Sequence, residues 1–258
     1  MWAIAAEQFG GPVRSMELPE PAAGPGELKV RMFAAGVNPF DRKVVDGMMR
    51  DSMPHVFPLV PGTDGAGEVV ETGERIFGTF FHSPVGVGTF AEYTTVPATN
   101  ALAPLPDELD PVVAAALPTS GMTALQLSDR LEGADSVLVV GARGGVGSFL
   151  TQLLGDRAIP IGRGDALVEA DALVDLVSDA DRYAANRKFA RSLAFTTNYA
   201  AAEKAENFGM KGSLEALTRL AGLVLDGTLQ VPITRRLPLR EANDVFAGSG
   251  GGKTVVVM

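Results

Sequence analysis

Residues 136–154 read SVLVVGARGGVGSFLTQLL: an unbroken apolar run, a glycine-rich turn and a helical stretch, with nothing between them. The run SVLVV (136–140) does not alternate, as expected of a strand covered on both faces in a parallel sheet. A strand that must be hidden on both sides and feeds a helix directly forces an α/β layering. The turn itself, Ala142, Arg143, Gly144, Gly145, Val146 and Gly147, spells A-x-G-x-x-G. Gly144 allows backbone to approach a diphosphate, Gly147 allows the helix to close on the strand, and the helix start offers N–H donors at a positive dipole end. The combination points to a bound dinucleotide; a plain strand–turn–helix corner is the simpler alternative.

Further strands are expected at AIPIG (158–162), ALVDLV (172–177) and LAFTTN (193–198), the continuation of a parallel sheet. Which dinucleotide fits is set at the end of the strand after the turn. An acidic residue there suits a ribose diol and an arginine suits a 2′-phosphate. AIPIG runs into Gly162, Arg163 and Gly164, with Asp165 just beyond, so Arg163 makes NADPH the expected cofactor. A solvated loop arginine is the alternative at that position.

The first hundred residues have another texture. LKVRMFAAGV (28–37), GEVVET (67–72), RIFGTFF (75–81) and FAEYTTV (90–96) are short strand-like runs bounded by Gly and Pro, which suggests a small barrel or sandwich. Asp110-Pro111 marks a helix start, a second helix is expected over 119–131, and Ser213 caps a third that Asp226-Gly227 stops. The tail TVVVM is again strand-like.

Composition removes several functions. The chain has 258 residues and a formal net charge of −9, against the dense Lys/Arg face that nucleic acid demands. There is no cysteine, so disulfide scaffolds, thiolate zinc sites and a cysteine nucleophile are out. MWAIAAEQFGG has no basic leader and meets Glu7 and Gly10-Gly11 early, and no apolar run approaches the ~20 residues of a membrane span. A cytoplasmic protein without membrane or nucleic-acid partners is expected.

Segments spread over most of the chain resemble the medium-chain dehydrogenase/reductase superfamily, in its zinc-free quinone-oxidoreductase-like branch. They are AAGVNPFDRKVVDG (34–47), VPGTDGAGEVV (60–70), GERIFG (73–78), GTFAEYTTVP (88–97), AALPTSGMTALQ (115–126) and GGKTVVV (251–257), in family order. The resemblance implies a GroES-like β-barrel catalytic domain over 1–116 and 228–258, and a Rossmann doubly wound parallel-sheet domain over 117–227. It further implies an oxidoreductase that transfers hydride from NADPH to a quinone or an α,β-unsaturated carbonyl, and it admits a homodimer paired through an edge of the Rossmann sheet.

Zinc-dependent relatives place Cys at the position of Asn38 and His at that of Thr63, so no metal is expected here. Without a Lewis acid, an acceptor that delocalises its developing charge is the suitable substrate. Three catalytic candidates follow from the resemblance. Asn38 could donate its amide to a carbonyl oxygen, or could simply make the turn before Pro39. Thr123 is matched to a position near the nicotinamide. His82 is a candidate proton donor, against the plainer reading of an exposed loop imidazole. Asp41 reads as structural, Tyr93 as packing, and Lys253 as either a cofactor neighbour or an ordinary exposed lysine.

The chain also departs from the pattern. Only seven residues separate Arg163 from Asp171, where a helix–strand–helix passage is expected; 69–78 and 199–212 are also short. The contraction reads as a reduced Rossmann domain, which would strip walls from the adenosine pocket, or as stretches absent from this sequence, since the strands on both sides of each gap keep their counterparts. It motivates a second function, a non-catalytic dinucleotide-binding or interaction module. An enoyl-thioester reductase would need a positioned tyrosine, and none of Tyr93, Tyr183 and Tyr199 has such a match.

Overall fold

The chain opens with a pair of antiparallel strands, β1 (Trp2–Ala5) and β2 (Arg14–Glu17). Next comes the long strand β3 (Glu27–Gly36), in which buried Val30 and Met32 flank exposed Arg31. This is the period of two that the sequence carries at these positions. The computed structural model describes residues 1–258 except 163 and 248–250.

A short helix, α1 (Pro39–Val45), leads to β4 (His55–Val60), β5 (Asp64–Val69), β6 (Arg75–Thr79), β7 (Val85–Val87), β8 (Tyr93–Pro97) and β9 (Leu102–Pro104). Helix α2 (Pro111–Ala115) follows, its N-cap Asp110 accepting from the Val112 N–H at 2.8 Å as its sequence suggests. Helix α3 (Pro118–Arg130) then carries the chain out of the first of two structural units, Met1–Thr119 with Gly212–Met258, into the second, Ser120–Lys211.

The second unit holds β10 (Val137–Val140), α4 (Gly145–Leu154), β11 (Ala158–Ile161), β12 (Ala170–Asp175), α5 (Ala180–Arg187) and β13 (Ala190–Thr196). The strands are parallel in the order β11-β10-β12-β13. All four residues of β10 are buried, the reason its sequence is apolar throughout. The strand order reverses beside β10, with β11 on one side and β12 on the other. Such a switch point is where open α/β sheets bind ligands, beyond the carboxyl ends of the strands. No helix joins β11 to β12 among the described residues. Leu167, in that short crossover, packs against the core of Leu138, Val140 and Leu173 instead.

The chain returns to the first unit through α6 (Leu214–Leu225), β14 (Ile233–Pro238) and β15 (Lys253–Val257). Ser213 Oγ accepts from the Ala216 N–H at 3.1 Å and so caps α6. Residues 212–227 fall with the first unit, where α6 packs on β9. The first unit's main sheet runs β14-β15-β3-β5-β6-β9, with β8 also on β3. β3 serves three neighbours: 27–31 pair with β8, 34–36 with β15, and its other edge takes β5. A register shift between Met32 and Ala34 lets the strand turn from one partner to the next and curls the sheet. Among the described residues no helix is long and apolar enough to cross a membrane.

Candidate functional site

The glycine-rich turn lies at the switch point of the second unit. β10 ends at Gly141, whose φ of +88° is open to glycine at little cost and bends the chain away from the sheet. The Gly144 N–H donates to Gly141 O at 3.0 Å and closes the turn. Gly144 is also the N-cap of α4, and glycine has no side chain with which to satisfy the first-turn N–H groups. Those donors, at the positive end of the helix, suit an anionic ligand. A Cβ on Gly147 would lie 2.3 Å from Gly141 O and 2.6 Å from Ala142 Cα, so the turn closes on its helix only with glycine there. Ala142 is buried and Arg143 exposed.

The neighbouring loop after β12 is held by Asp175, which the sequence did not single out. Its buried carboxylate accepts from the backbone N–H groups of Val177 (3.2 Å) and Ser178 (3.0 Å) and from Asn186 Nδ2 (2.8 Å). Beyond β11, the Gly162 N–H donates to Asp165 Oδ2 at 2.8 Å. Arg163, on which the expectation of NADPH rests, lies outside the described residues. Thr123 is buried on α3, within the second unit.

The first unit contains a polar cluster that the sequence showed only in fragments. Asn38 precedes α1, and its Nδ2 donates to Asp64 Oδ2 at 2.8 Å. Its Oδ1 accepts from Lys253 Nζ at 2.7 Å. Asp41, in the first turn of α1, reaches back to the Asn38 backbone N–H at 2.7 Å, the return half of a capping box, and accepts from Thr63 Oγ1 at 2.8 Å. Asp64 also accepts from the N–H and the hydroxyl of Thr119, at 2.9 and 2.6 Å. Lys253 completes its ties with a 3.2 Å bond to Val37 O. The expectation of an exposed lysine is therefore corrected, since Lys253 is only 3% exposed.

Two carboxylates and one ammonium thus share an interior site, and the balance of charge is the dominant fact about it. Burial, reinforced by the nearby Asp64 charge, raises the Asp41 carboxyl to about 7 against the opposing Asn38 N–H bond. Burial likewise raises Asp64 above the usual carboxylate range and lowers Lys253 below the usual amine range. Asp64, which accepts from Asn38 Nδ2 and from the N–H and hydroxyl of Thr119 and feels the lysine charge, is the better supported of the two anions.

Asp41 and Thr63 also line a small pocket together with Phe81, His82, Val87 and Gly88. The His82 side chain is 5% exposed, not the solvated imidazole of the plainer expectation. Its Nδ1 lies 2.9 Å from Phe80 O, which can only accept, so Nδ1 carries a proton; Nε2 faces Glu27 Oε1 at 4.0 Å. Among the described residues no group of three or more His, Asp or Glu side chains converges as a metal site. Asp64 and Thr119 escaped the sequence reading because they meet Asn38 and Lys253 only through the pairing of β3, β5 and β15.

The chain is similar to several known proteins. The family model for the alcohol dehydrogenase GroES-like domain matches residues 24–107. A chloroplast envelope quinone oxidoreductase homolog of Arabidopsis thaliana is 34% identical over 174 residues, covering 59% of this chain and 52% of the relative. The quinone oxidoreductase of Rattus norvegicus is 33% identical over 165 residues, covering 59% and 49%. The chain thus spans about half the length of the curated relatives it matches. The solved quinone oxidoreductase from Coxiella burnetii superposes with a TM-score of 0.78 at 22% identity, covering 100% of this chain and 99% of that one. A mycobacterial protein solved with NADPH gives 0.75 at 23% identity, covering both chains fully at 100%.

Proposed function

Because the chain belongs to the medium-chain dehydrogenase/reductase superfamily, in its quinone-oxidoreductase-like branch, we propose that it is an NADPH-dependent, zinc-independent reductase of quinones or α,β-unsaturated carbonyls. The observation that carries the proposal is the turn at α4: a side-chain-free helix start at the switch point of a parallel sheet, closed by a glycine that tolerates no Cβ. Residues Ala142–Gly147 would hold the diphosphate through backbone N–H groups, and Arg163 would meet the 2′-phosphate. When bound, the dinucleotide supplies hydride.

In this reading Thr123 would contact the nicotinamide, and Asn38 and His82 would contact the substrate. Zinc independence is supported by the donor set. Asn38 and Thr63 present an amide and a hydroxyl, poor ligands for zinc, and both are engaged by Asp64, Lys253 and Asp41. An acceptor that spreads negative charge over a conjugated system fits a site without a Lewis acid. The known relatives named quinone oxidoreductases support the substrate class, and the neighbour solved with NADPH supports the cofactor class. A homodimer through the open edge of β13 belongs to the same reading and is checked by molar mass in solution.

The test is steady-state oxidation of NADPH and of NADH with a panel of quinones and enones. Turnover with NADPH at least tenfold above NADH in kcat/KM is expected. Failure to oxidise either cofactor would overturn the reductase reading, and NADPH binding by calorimetry without turnover would instead support a non-catalytic dinucleotide-binding module.

A further inference from the structure

We propose that a pocket of the first unit binds a small neutral phenol, one aromatic ring carrying one hydroxyl. The pocket offers about 170 Å³, and every residue that lines it belongs to Met1–Thr119, so the site needs no other part of the chain. An apolar cavity of about 150 Å³ is enough to hold one benzene ring. Leu18, Pro19 and Pro21 come from the segment after β2, and Val56 and Pro58 from β4. Gly86 lies in β7 and Gly88 just past it, while Tyr93 opens β8.

The pocket is built in advance of any ligand. Proline fixes its own φ, so Pro19, Pro21 and Pro58 have little backbone freedom to lose. Glu20, between two of these prolines, binds Lys29 Nζ at 2.6 Å, and that ammonium lies 5.0 Å from the centre of the Tyr93 ring. Lys29 and Tyr93 are diagonal neighbours on the β3–β8 pair, where Lys29 faces Thr95 and Arg31 faces Tyr93. The ion pair therefore ties the proline segment to the strands that hold Tyr93. A Cβ on Gly86 would lie 2.5 Å from Val56 O, and one on Gly88 would run into Pro61 O, so both positions stay bare peptide. A preformed pocket spares the ligand the cost of ordering its site.

The chemistry of the lining selects the ligand. Among the described residues that line the pocket, Tyr93 alone brings a polar side-chain group, and its hydroxyl has no hydrogen-bond partner among the described residues. A phenolic hydroxyl both donates and accepts, so it can pair with a ligand hydroxyl in either sense. The rest of the lining is Met, Leu, Val, Ala, Pro and Gly, whose side chains give a charged group nothing in place of its water. The flanking charges, Lys29 and Glu20, compensate each other. A neutral ring with one oxygen fits this set, and a carboxylate or an ammonium does not.

The test is a titration of the isotope-labelled full chain with p-cresol, followed by backbone amide shifts, with toluene and benzoate as comparison probes. The p-cresol shifts should saturate and centre on Gly86, Gly88 and Tyr93. Its affinity should exceed that of toluene about fivefold, the worth of one hydrogen bond, and benzoate should give no saturable shift. Tyr93→Phe should bring p-cresol down to the affinity of toluene and leave toluene unchanged. Val56→Trp, at a position 38% exposed, should fill the pocket and abolish the saturable shifts of both probes. If that variant does not fold, Tyr93→Phe, which removes a single oxygen and keeps the ring, decides alone. Wild-type shifts that stay linear in p-cresol, or that centre away from the lining residues, would overturn the site. Equal p-cresol affinity in the wild type and Tyr93→Phe would overturn the assignment of a phenol, as would benzoate binding as tightly as p-cresol.

Discussion

Lys253 Nζ donates to Asn38 Oδ1 at 2.7 Å, tying the first residue of the last strand to the residue before α1 across 215 positions of sequence. The bond orients the Asn38 amide, since an oxygen held by an ammonium leaves Nδ2 to face Asp64. One contact therefore sets the hydrogen-bond sense of the whole cluster.

Removing the ammonium should be costly. Lys253→Met leaves Asp64 and Asp41 buried without a cation, and breaking a buried charge set in this way costs about 3–5 kcal/mol. Adding Asp64→Asn to Lys253→Met should recover part of the loss, because the uncompensated charge disappears. Urea unfolding of the wild type, both single variants and the double variant checks this through the coupling energy.

Stability should fall between about pH 4 and pH 7. The Asp41 carboxyl titrates near 3.8 when unfolded and at about 7 when folded, so the folded chain holds the proton more tightly. Its contribution is complete below the unfolded value and is lost as pH rises to the folded one, at no more than about 1.4 kcal/mol per pH unit. Asp64 shifts in the same direction. Urea midpoints of wild type and Asp41→Asn from pH 4 to pH 8 should show a shallower decline in the variant.

The two turn glycines should separate fold from ligand. Gly147→Ala puts a methyl 2.3 Å from Gly141 O, and the backbone must move, with an expected loss of about 1–3 kcal/mol and of dinucleotide binding. Gly144→Ala meets only Gly141 O at 3.4 Å, so the fold should hold while approach of a diphosphate is hindered. Thermal melts paired with NADPH titrations test the contrast.

Asp175→Ala should loosen the loop beside the turn. It leaves the Val177 and Ser178 N–H groups and the Asn186 amide without their acceptor, at about 1–3 kcal/mol for the buried donors. A Cβ on Gly141 would lie 2.9 Å from Val177 Cγ1, so this loop borders the turn, and NADPH affinity should drop with it. Calorimetric titration of folded variant against wild type decides.

The strands and caps were legible wherever chemistry is local. VLVV (137–140) forms a strand buried on both faces because each of its residues is apolar, and Ser213 caps α6 because its hydroxyl reaches an N–H three residues on. The glycine turn was equally plain, since its spacing is itself the geometry. Strands such as β4, β7 and β14 were missed: they are short or carry Pro and Arg, and only pairing with a partner makes them strands. Their sequences hold no period that a free chain would express.

What the sequence determined by itself was therefore the alternation, the caps and the spacing of backbone-binding glycines, because these act over a few residues. Tertiary structure alone decided that Asn38, Asp41, Thr63, Asp64, Thr119 and Lys253 meet in one interior cluster. Their meeting depends on which strand lies beside β3 and in what register, and burial, which only the assembled sheet provides, is what raises the Asp41 carboxyl and lowers the Lys253 amine from their ordinary values.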